Sequence, residues 1–341
     1  MTYTEQEARR LIIEAGHRLL ASGLVTRTWG NISARVSSTH FIITPSGLSY
    51  DTLQPEQLVL VKIDDCSHKG EYEPSSEKGI HAAAYRLRPD IGFVIHTHQD
   101  YASVLGIGGQ DLTAPSHPAL GCIVPAAAYG LPGTKKLQKN VVSAMLRAPR
   151  CRAFLMKHHG TLCLGQDPQR AFEIADALEN TCRTLFEQTV TIPTTESEAV
   201  TGLIHELSIA ATGQYFSIES HPAVLAVAAR GKTLRPALDD MAQILGTTVR
   251  CAKNDVTAIM SAMKGQNAVL VPGIGGVCMA GKKSDLHAME SLLRKGCMAA
   301  LYAETCGAKP IRWFDCLLMR LVYQIKYSRK KAGNCHAEKT D

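Results

Sequence analysis

Two histidines separated by one residue close an apolar run at Val94-Ile95-His96-Thr97-His98, and no other stretch limits this chain's fold and chemistry as much. Successive side chains on a strand point to opposite faces, so an i, i+2 pair puts both imidazoles on one face. That is a metal-ligand spacing. About sixty residues later a second apolar run, Ala153-Phe154-Leu155-Met156, leads into Lys157-His158-His159-Gly160. Three imidazoles from two strand ends, with a fourth position left open, describe a catalytic rather than a structural zinc site.

The segments around these histidines read as alternating strands and helices. Residues 5–22 carry Leu11, Ile12, Ala15, Leu19 and Leu20 at helical spacing, with Gly23 as the stop. A Gly30-Asn31 turn then precedes a short strand, and Phe41-Ile42-Ile43 runs into the small polar turn Thr44-Pro45-Ser46-Gly47. Residues 57–63 read as a further strand. Next come Glu73-Pro74-Ser75-Ser76-Glu77 and a helix over 79–87 that Arg88-Pro89 ends. Serines at a helix start are ordinary caps, and they are also what a phosphate site uses, because free N–H groups and the positive dipole end lie there. Glu77 is expected in the first turn, where a carboxylate favours the dipole. His81, four residues on, shares its face and reads first as a satisfied core histidine. Beyond the strand 90–95 the pattern predicts helices from Asp100, over 167–186 and over 196–211.

At 341 residues the chain is long enough for two units. It is 45% hydrophobic and 20% charged, the composition of a globular protein without bias toward disorder. Its eleven cysteines are scattered without a CxxC pair and read as reduced thiols. The N-terminus has no signal-peptide pattern, so a cytoplasmic protein without membrane attachment is expected. Of the net charge of +6, residues 320–341 supply +4 from six basic and two acidic side chains. A basic tail of this kind is a solvated end, and nucleic acid is not an expected partner.

Comparing the chain with itself at an offset of 115 residues pairs Ala153-Phe154-Leu155-Met156 with Ala268-Val269-Leu270-Val271, Gly160 with Gly275, Cys163 with Cys278 and Cys182 with Cys297. In this register His158 and His159 become Gly273 and Ile274, so a second unit keeps the fold and loses the metal. The expected division is 1–211 for a catalytic unit, 212–333 for the degenerate repeat and 334–341 for a disordered tail.

Five ordered motifs, TWGNIS at 28–33, TPSG at 44–47, PSSE at 74–77, HTH at 96–98 and HHG at 158–160, resemble the class II aldolase/adducin head family over about residues 5–210. The resemblance implies an α/β fold with a mixed, mainly antiparallel central sheet flanked by helices, assembled as a homo-oligomer. It further implies zinc on His96, His98 and His159, Glu77 as acid/base, and a substrate phosphate pocket of Gly30, Asn31, Ser46, Gly47, Ser75 and Ser76. The implied activity is cleavage of a ketose 1-phosphate to dihydroxyacetone phosphate and an aldehyde. A sugar-phosphate epimerase or dehydratase on the same scaffold, or a non-catalytic adducin-like binding protein, are the alternatives. Family epimerases usually carry aspartate where Glu77 stands, which favours the aldolase. The tyrosine proton donor of some family aldolases has no counterpart in Ala114-Pro115-Ser116-His117-Pro118, leaving His117 or Tyr129 as substitutes.

Overall fold

The computed structural model describes the backbone of residues 2–22, 30–113, 117–195, 197 and 202–337, with side chains described as far as 325. The expected helix stop at Gly23, the Thr28-Trp29 end of the first motif, the Ala114–Ser116 stretch and the start of the helix expected from Glu196 lie outside the described residues. The backbone divides into two compact units, Met1–Thr189 and Val190–Asp341.

In the first unit α1 (Glu5–Ser22) precedes β1 (Asn31–Arg35), β2 (His40–Ile43), β3 (Val59–Lys62), α2 (Lys78–Leu87), β4 (Phe93–Thr97) and α3 (Asp100–Gly106). The short strands β5 (Leu112–Thr113), β6 (Ile123–Val124) and β7 (Ala126–Ala127) follow, then α4 (Lys135–Arg147), β8 (Ala153–Met156), β9 (Gly160–Gly165) and α5 (Pro168–Thr189). Among the described residues seven strands form one sheet in the order β3-β2-β1-β4-β9-β8-β7, antiparallel throughout except for the parallel β7–β8 pair. This is the mixed, mainly antiparallel sheet that the family resemblance implies. Ile80 and Ala84 of α2 and Leu137 and Val141 of α4 share one core with Phe41, Val94, Phe154 and Leu162 on one face of it. Alternation then sends the buried Ile32, Ile42, Ile95 and Leu155 to the other face, and α1, α3 and α5 also pack on the strands.

The strand expected over 57–63 is shorter, because Pro55 opens a 3₁₀ turn over Pro55–Gln57. Glu77 is the N-cap of α2 rather than a residue of its first turn, and its side chain makes no capping bond. Ser75 Oγ accepts from the Glu77 N–H instead (3.2 Å), which frees the carboxylate for other partners.

The second unit contains α6 (Leu203–Ala210), β10 (Tyr215–Glu219), α7 (Pro222–Ala228), α8 (Asp239–Ile244), β11 (Arg250–Cys251), α9 (Val256–Ala262), β12 (Ala268–Val271), β13 (Gly275–Ala280), α10 (Leu286–Cys306) and α11 (Trp313–Ala337). Its sheet runs β10-β13-β12-β11, again antiparallel except for the last, parallel pair. The division falls at 189/190 and not at the expected 211/212, because Leu203 and Leu207 of α6 share a core with Phe216, Ile259 and Val269. The tail expected to be disordered from Asn334 continues α11 as far as Ala337, and residues 338–341 lie outside the described ones.

The pairing order of β4, β9, β8 and β7 in the first sheet recurs in β10, β13, β12 and β11 of the second. β8 and β9 lie 115 positions before β12 and β13. β4 pairs Phe93 with Gly165, and β10 pairs Tyr215 with Ala280, so β4 and α3 lie 122 positions before β10 and α7. The N-caps of those helices share a conformation, Gln99 at φ −51, ψ 147 and His221 at φ −54, ψ 142. The β8–β9 turn puts His158 in the left-handed region (φ 63), and the β12–β13 turn puts Gly273 there (φ 78).

Candidate metal and acid/base site

Val94, His96 and His98 fall on the face of β4 that α2 covers, and the tight β8–β9 turn brings in His159, whose N–H bonds to the Met156 carbonyl (3.0 Å). His96, His98 and His159 are buried and offer ligand nitrogens that all lie within 4.8 Å of one another. His96 Nε2 and His98 Nε2 are 3.1 Å apart. Two nitrogens sharing a tetrahedral zinc at roughly 2.0–2.1 Å would be roughly 3.3 Å apart, so this pair is already spaced for such an ion. His96 Nδ1 donates to the Thr161 carbonyl (2.7 Å), which leaves Nε2 as the nitrogen with the lone pair. Burial lowers the His96 pKa well below its ordinary value, against the Glu77 charge, and so favours the neutral form a metal needs.

Glu77 closes the cluster. Its Oε1 accepts from His159 Nε2 (2.9 Å), and its Oε2 accepts from Asn31 Nδ2 (3.0 Å) and lies 3.3 Å from His96 Nε2. Burial pushes the carboxyl pKa up, but the His96 and His159 imidazoles and the bonds from His159 and Asn31 outweigh it and hold the group well below the usual range.

The small polar turns meet beside this carboxylate. Ser46 N–H donates to the Glu73 carbonyl (2.8 Å), Ser75 N–H to the Thr44 carbonyl (3.0 Å) and Thr44 N–H to the Ile32 carbonyl (3.0 Å). These bonds lace the Gly30-Asn31, Ser46-Gly47 and Ser75-Ser76 segments together, with Gly30 and Gly47 at positive φ (84 and 73). Ser46, Gly47 and Ser76 are exposed, whereas Asn31 and Ser75 are buried.

The supports of the histidines were not legible in the sequence. Thr97 Oγ1 and Thr161 Oγ1 are 2.8 Å apart, Thr161 Oγ1 donates to Gln99 Oε1 (2.9 Å) and Gln99 Nε2 donates to the Ala175 carbonyl (2.8 Å). Nothing in their spacing joins residues so far apart. Of the two residues considered as proton donors, His117 accepts from the Ala119 N–H and Tyr129 packs edge-on against His158, ring centres 5.4 Å apart.

A buried histidine triad with a carboxylate at its open side, on a mixed sheet flanked by helices, could hold a divalent metal ion beside a proton-transfer group. The sequence model of the family described as Class II Aldolase and Adducin N-terminal domain matches residues 10–186, and the chain belongs to that family. It is 34% identical over 190 residues to the 5-deoxy-D-ribulose 1-phosphate aldolase of Bacillus thuringiensis serovar kurstaki, covering 55% of this chain and 87% of that one. Over 139 residues it is 34% identical to the L-ribulose-5-phosphate 4-epimerase of Salmonella paratyphi B, covering 40% of this chain and 59% of the relative. Among solved structures, an L-fuculose 1-phosphate aldolase superposes with a TM-score of 0.50 at 32% identity, over 53% of this chain and 85% of that one. No helix among the described residues is long and apolar enough to cross a membrane.

Proposed function

We propose that this chain is a zinc-dependent aldolase that reversibly splits a ketose 1-phosphate into dihydroxyacetone phosphate and an aldehyde. The observation that carries this reading is the Glu77 carboxylate lying 2.9 and 3.3 Å from two of the three clustered histidines. Similarity to a 5-deoxy-D-ribulose 1-phosphate aldolase makes that ketose the first substrate to test. A divalent ion held by His96, His98 and His159 would supply Lewis-acid charge against the enediolate that carbon–carbon cleavage leaves, worth several kcal/mol. The turns at Gly30-Asn31, Ser46-Gly47 and Ser75-Ser76 take the phosphate, with backbone N–H groups and hydroxyls as donors. The C3–C4 bond breaks, C4 leaves as the aldehyde and the electron pair stays on the three-carbon fragment. Glu77, ionised in the resting site, takes up the proton that the C4 hydroxyl releases and then returns a proton to that carbon. The proton gained at carbon balances the one lost from the C4 hydroxyl, so no co-reactant is required.

Purified protein is expected to hold about one zinc per chain and to release dihydroxyacetone phosphate from a ketose 1-phosphate, with Glu77→Gln and His96→Ala reducing turnover at least about 100-fold. Folded, metal-replete protein that is inert toward a panel of ketose 1-phosphates would refute the aldolase. An intact carbon skeleton in the product would favour the epimerase reading that the Salmonella relative suggests.

The second unit we read as a half-copy of the first, without counterparts of α1, β1, β2 and β3 among its described residues. Ile218, Ser220 and Ile274 stand at the positions of His96, His98 and His159. Such a unit serves structure or assembly of a homo-oligomer and not metal chemistry.

A further inference from the structure

Behind Glu77 lies a line of buried polar side chains, of which the reaction as described uses only the turn at Asn31 and leaves His81, Ser33 and Tyr85 without a role. Asn31 Nδ2 donates to Glu77 Oε2 (3.0 Å), Asn31 Oδ1 meets His81 Nε2, His81 Nδ1 meets Ser33 Oγ (2.7 Å) and Ser33 Oγ meets Tyr85 OH (2.8 Å). Chemistry fixes every direction in it. A carboxylate only accepts, so the amide nitrogen of Asn31 faces Glu77 and its oxygen faces His81. That oxygen also only accepts, so His81 carries its hydrogen on Nε2. Nδ1 then takes the Ser33 hydroxyl hydrogen, and Ser33 Oγ takes that of Tyr85. His81 is fully buried, and burial lowers its pKa to about 4, with the Glu77 charge opposing, so the ring is neutral at working pH.

The far end is anchored as firmly. Arg35 donates to the carbonyls of Ile91 (2.8 Å), Tyr85 (2.6 Å) and Arg88 (3.1 Å), and its guanidinium lies 4.7 Å from the Tyr85 ring centre. The helix α2 aligns the row, since His81 and Tyr85 follow its N-cap Glu77 at i+4 and i+8 on one helix face, while Asn31, Ser33 and Arg35 alternate along β1 on the face turned toward it.

We propose that His81 is a positioning residue for the acid/base: through the amide of Asn31, and locked by Ser33 and Tyr85, it holds the Glu77 carboxylate in the orientation that delivers its proton. The row is a clamp and not a proton wire, because the Asn31 amide between His81 and Glu77 neither releases its N–H protons nor takes one on its oxygen near neutral pH. Without His81 the amide of Asn31 is free to turn its oxygen toward the carboxylate, replacing a donor by a repulsive lone pair. The proposal rests on Glu77 being the acid/base.

The test compares His81→Leu, His81→Gln and Ser33→Ala in the full-length, zinc-loaded protein. With the ketose 1-phosphate that wild type cleaves, His81→Leu is expected to lower kcat roughly 10–100-fold, the range typical of residues that orient a site's primary groups, with KM within about threefold and zinc per chain unchanged. Glutamine can offer its amide N–H where Nε2–H stood, so His81→Gln is expected to recover most of the loss. Ser33→Ala, which removes the lock on the tautomer, is expected to fall between them. Equal losses in the leucine and glutamine variants, or a loss confined to KM, would overturn the proposal. If His81→Leu does not fold, Ser33→Ala and nitrogen-15 NMR of the wild-type imidazoles decide: His81 must be the neutral Nε2–H tautomer from pH 6 to 9. An Nδ1–H or doubly protonated ring overturns the clamp even in a protein inert toward every sugar phosphate, an inertness that by itself counts against the aldolase alone.

Discussion

A methyl group has no room at Gly160. A Cβ there would stand 2.4 Å from the Thr97 carbonyl oxygen and 3.2 Å from His96 Cε1, so β9 approaches β4 this closely only because residue 160 has no side chain. Gly160→Ala is therefore expected to cost about 1–3 kcal/mol of stability, the usual range for overpacking. It is also expected to weaken metal binding, because His96 is held by the next residue's carbonyl. Urea unfolding and a zinc titration check this; unchanged midpoint and zinc affinity would show that β9 can shift freely. At this scale the sequence was most legible where one local pattern carries the chemistry. His96, His98 and His159 announce themselves as strand ends that finish in histidine. Thr161, Gln99 and the clamp on Glu77 do not, since their partners meet only when β1, β4, β9 and α2 are laid side by side. His81 was visible as the i+4 neighbour of Glu77, but only Asn31 and Ser33 from a distant strand distinguish a clamp from an ordinary core histidine.

The elements that carry ligands are themselves held in place, and α3 is the clearest case. It starts two residues after His98, and its N-cap Gln99 makes no capping bond because its amide is committed to Thr161 and Ala175. Glu179 of α5 caps it from outside, its two oxygens accepting from the Tyr101 and Ala102 N–H groups (2.9 Å each). Burial raises the Glu179 pKa from 4.5 to about 7, against the pull of those two N–H groups. Between these values the folded protein keeps a proton that the unfolded chain has released, so this group's contribution to stability falls as pH rises from about 4.5 to about 7. Relative to Glu179→Gln, wild type is expected to lose up to about 3 kcal/mol between pH 5 and pH 8, read from urea unfolding at each pH. A pH-independent gap between the two proteins would place the Glu179 pKa near its ordinary value. Apolar periodicity made α1, α2, α3 and α5 legible, because it depends on neighbours in sequence, but α4 and the helices after α6 were not read from it. It did not locate the end of the first unit, because α6 is claimed by the core of Phe216 and Ile259, which lies later in the chain.

At the scale of the whole molecule one four-strand pairing order occurs in both units, with chemistry expected in only one of them. The equivalence at offsets of 115 and 122 residues makes a direct prediction. If the second unit keeps the geometry, Ile218→His, Ser220→His and Ile274→His together should raise bound zinc from about one to about two per chain, measured by metal analysis of the folded protein. Retention of a single zinc would mean that the correspondence stops at the level of strands. The offset in the β8–β9 hairpin was legible because those strands and the helix after them kept their spacing and their cysteines. The second offset was not, because β4 and β10 share almost no side-chain character, Phe93-Val94-Ile95-His96-Thr97 against Tyr215-Phe216-Ser217-Ile218-Glu219.

The copies differ most at one edge. β4 lies between β1 and β9, whereas β10 ends its sheet. Every second amide of β10 therefore points away from the ladder, and its exchange with solvent is governed by local fraying and not by opening of a sheet. The two halves of the chain thus differ in how they breathe: the strand that ends in the histidines is clamped from both sides, while its counterpart can peel away alone.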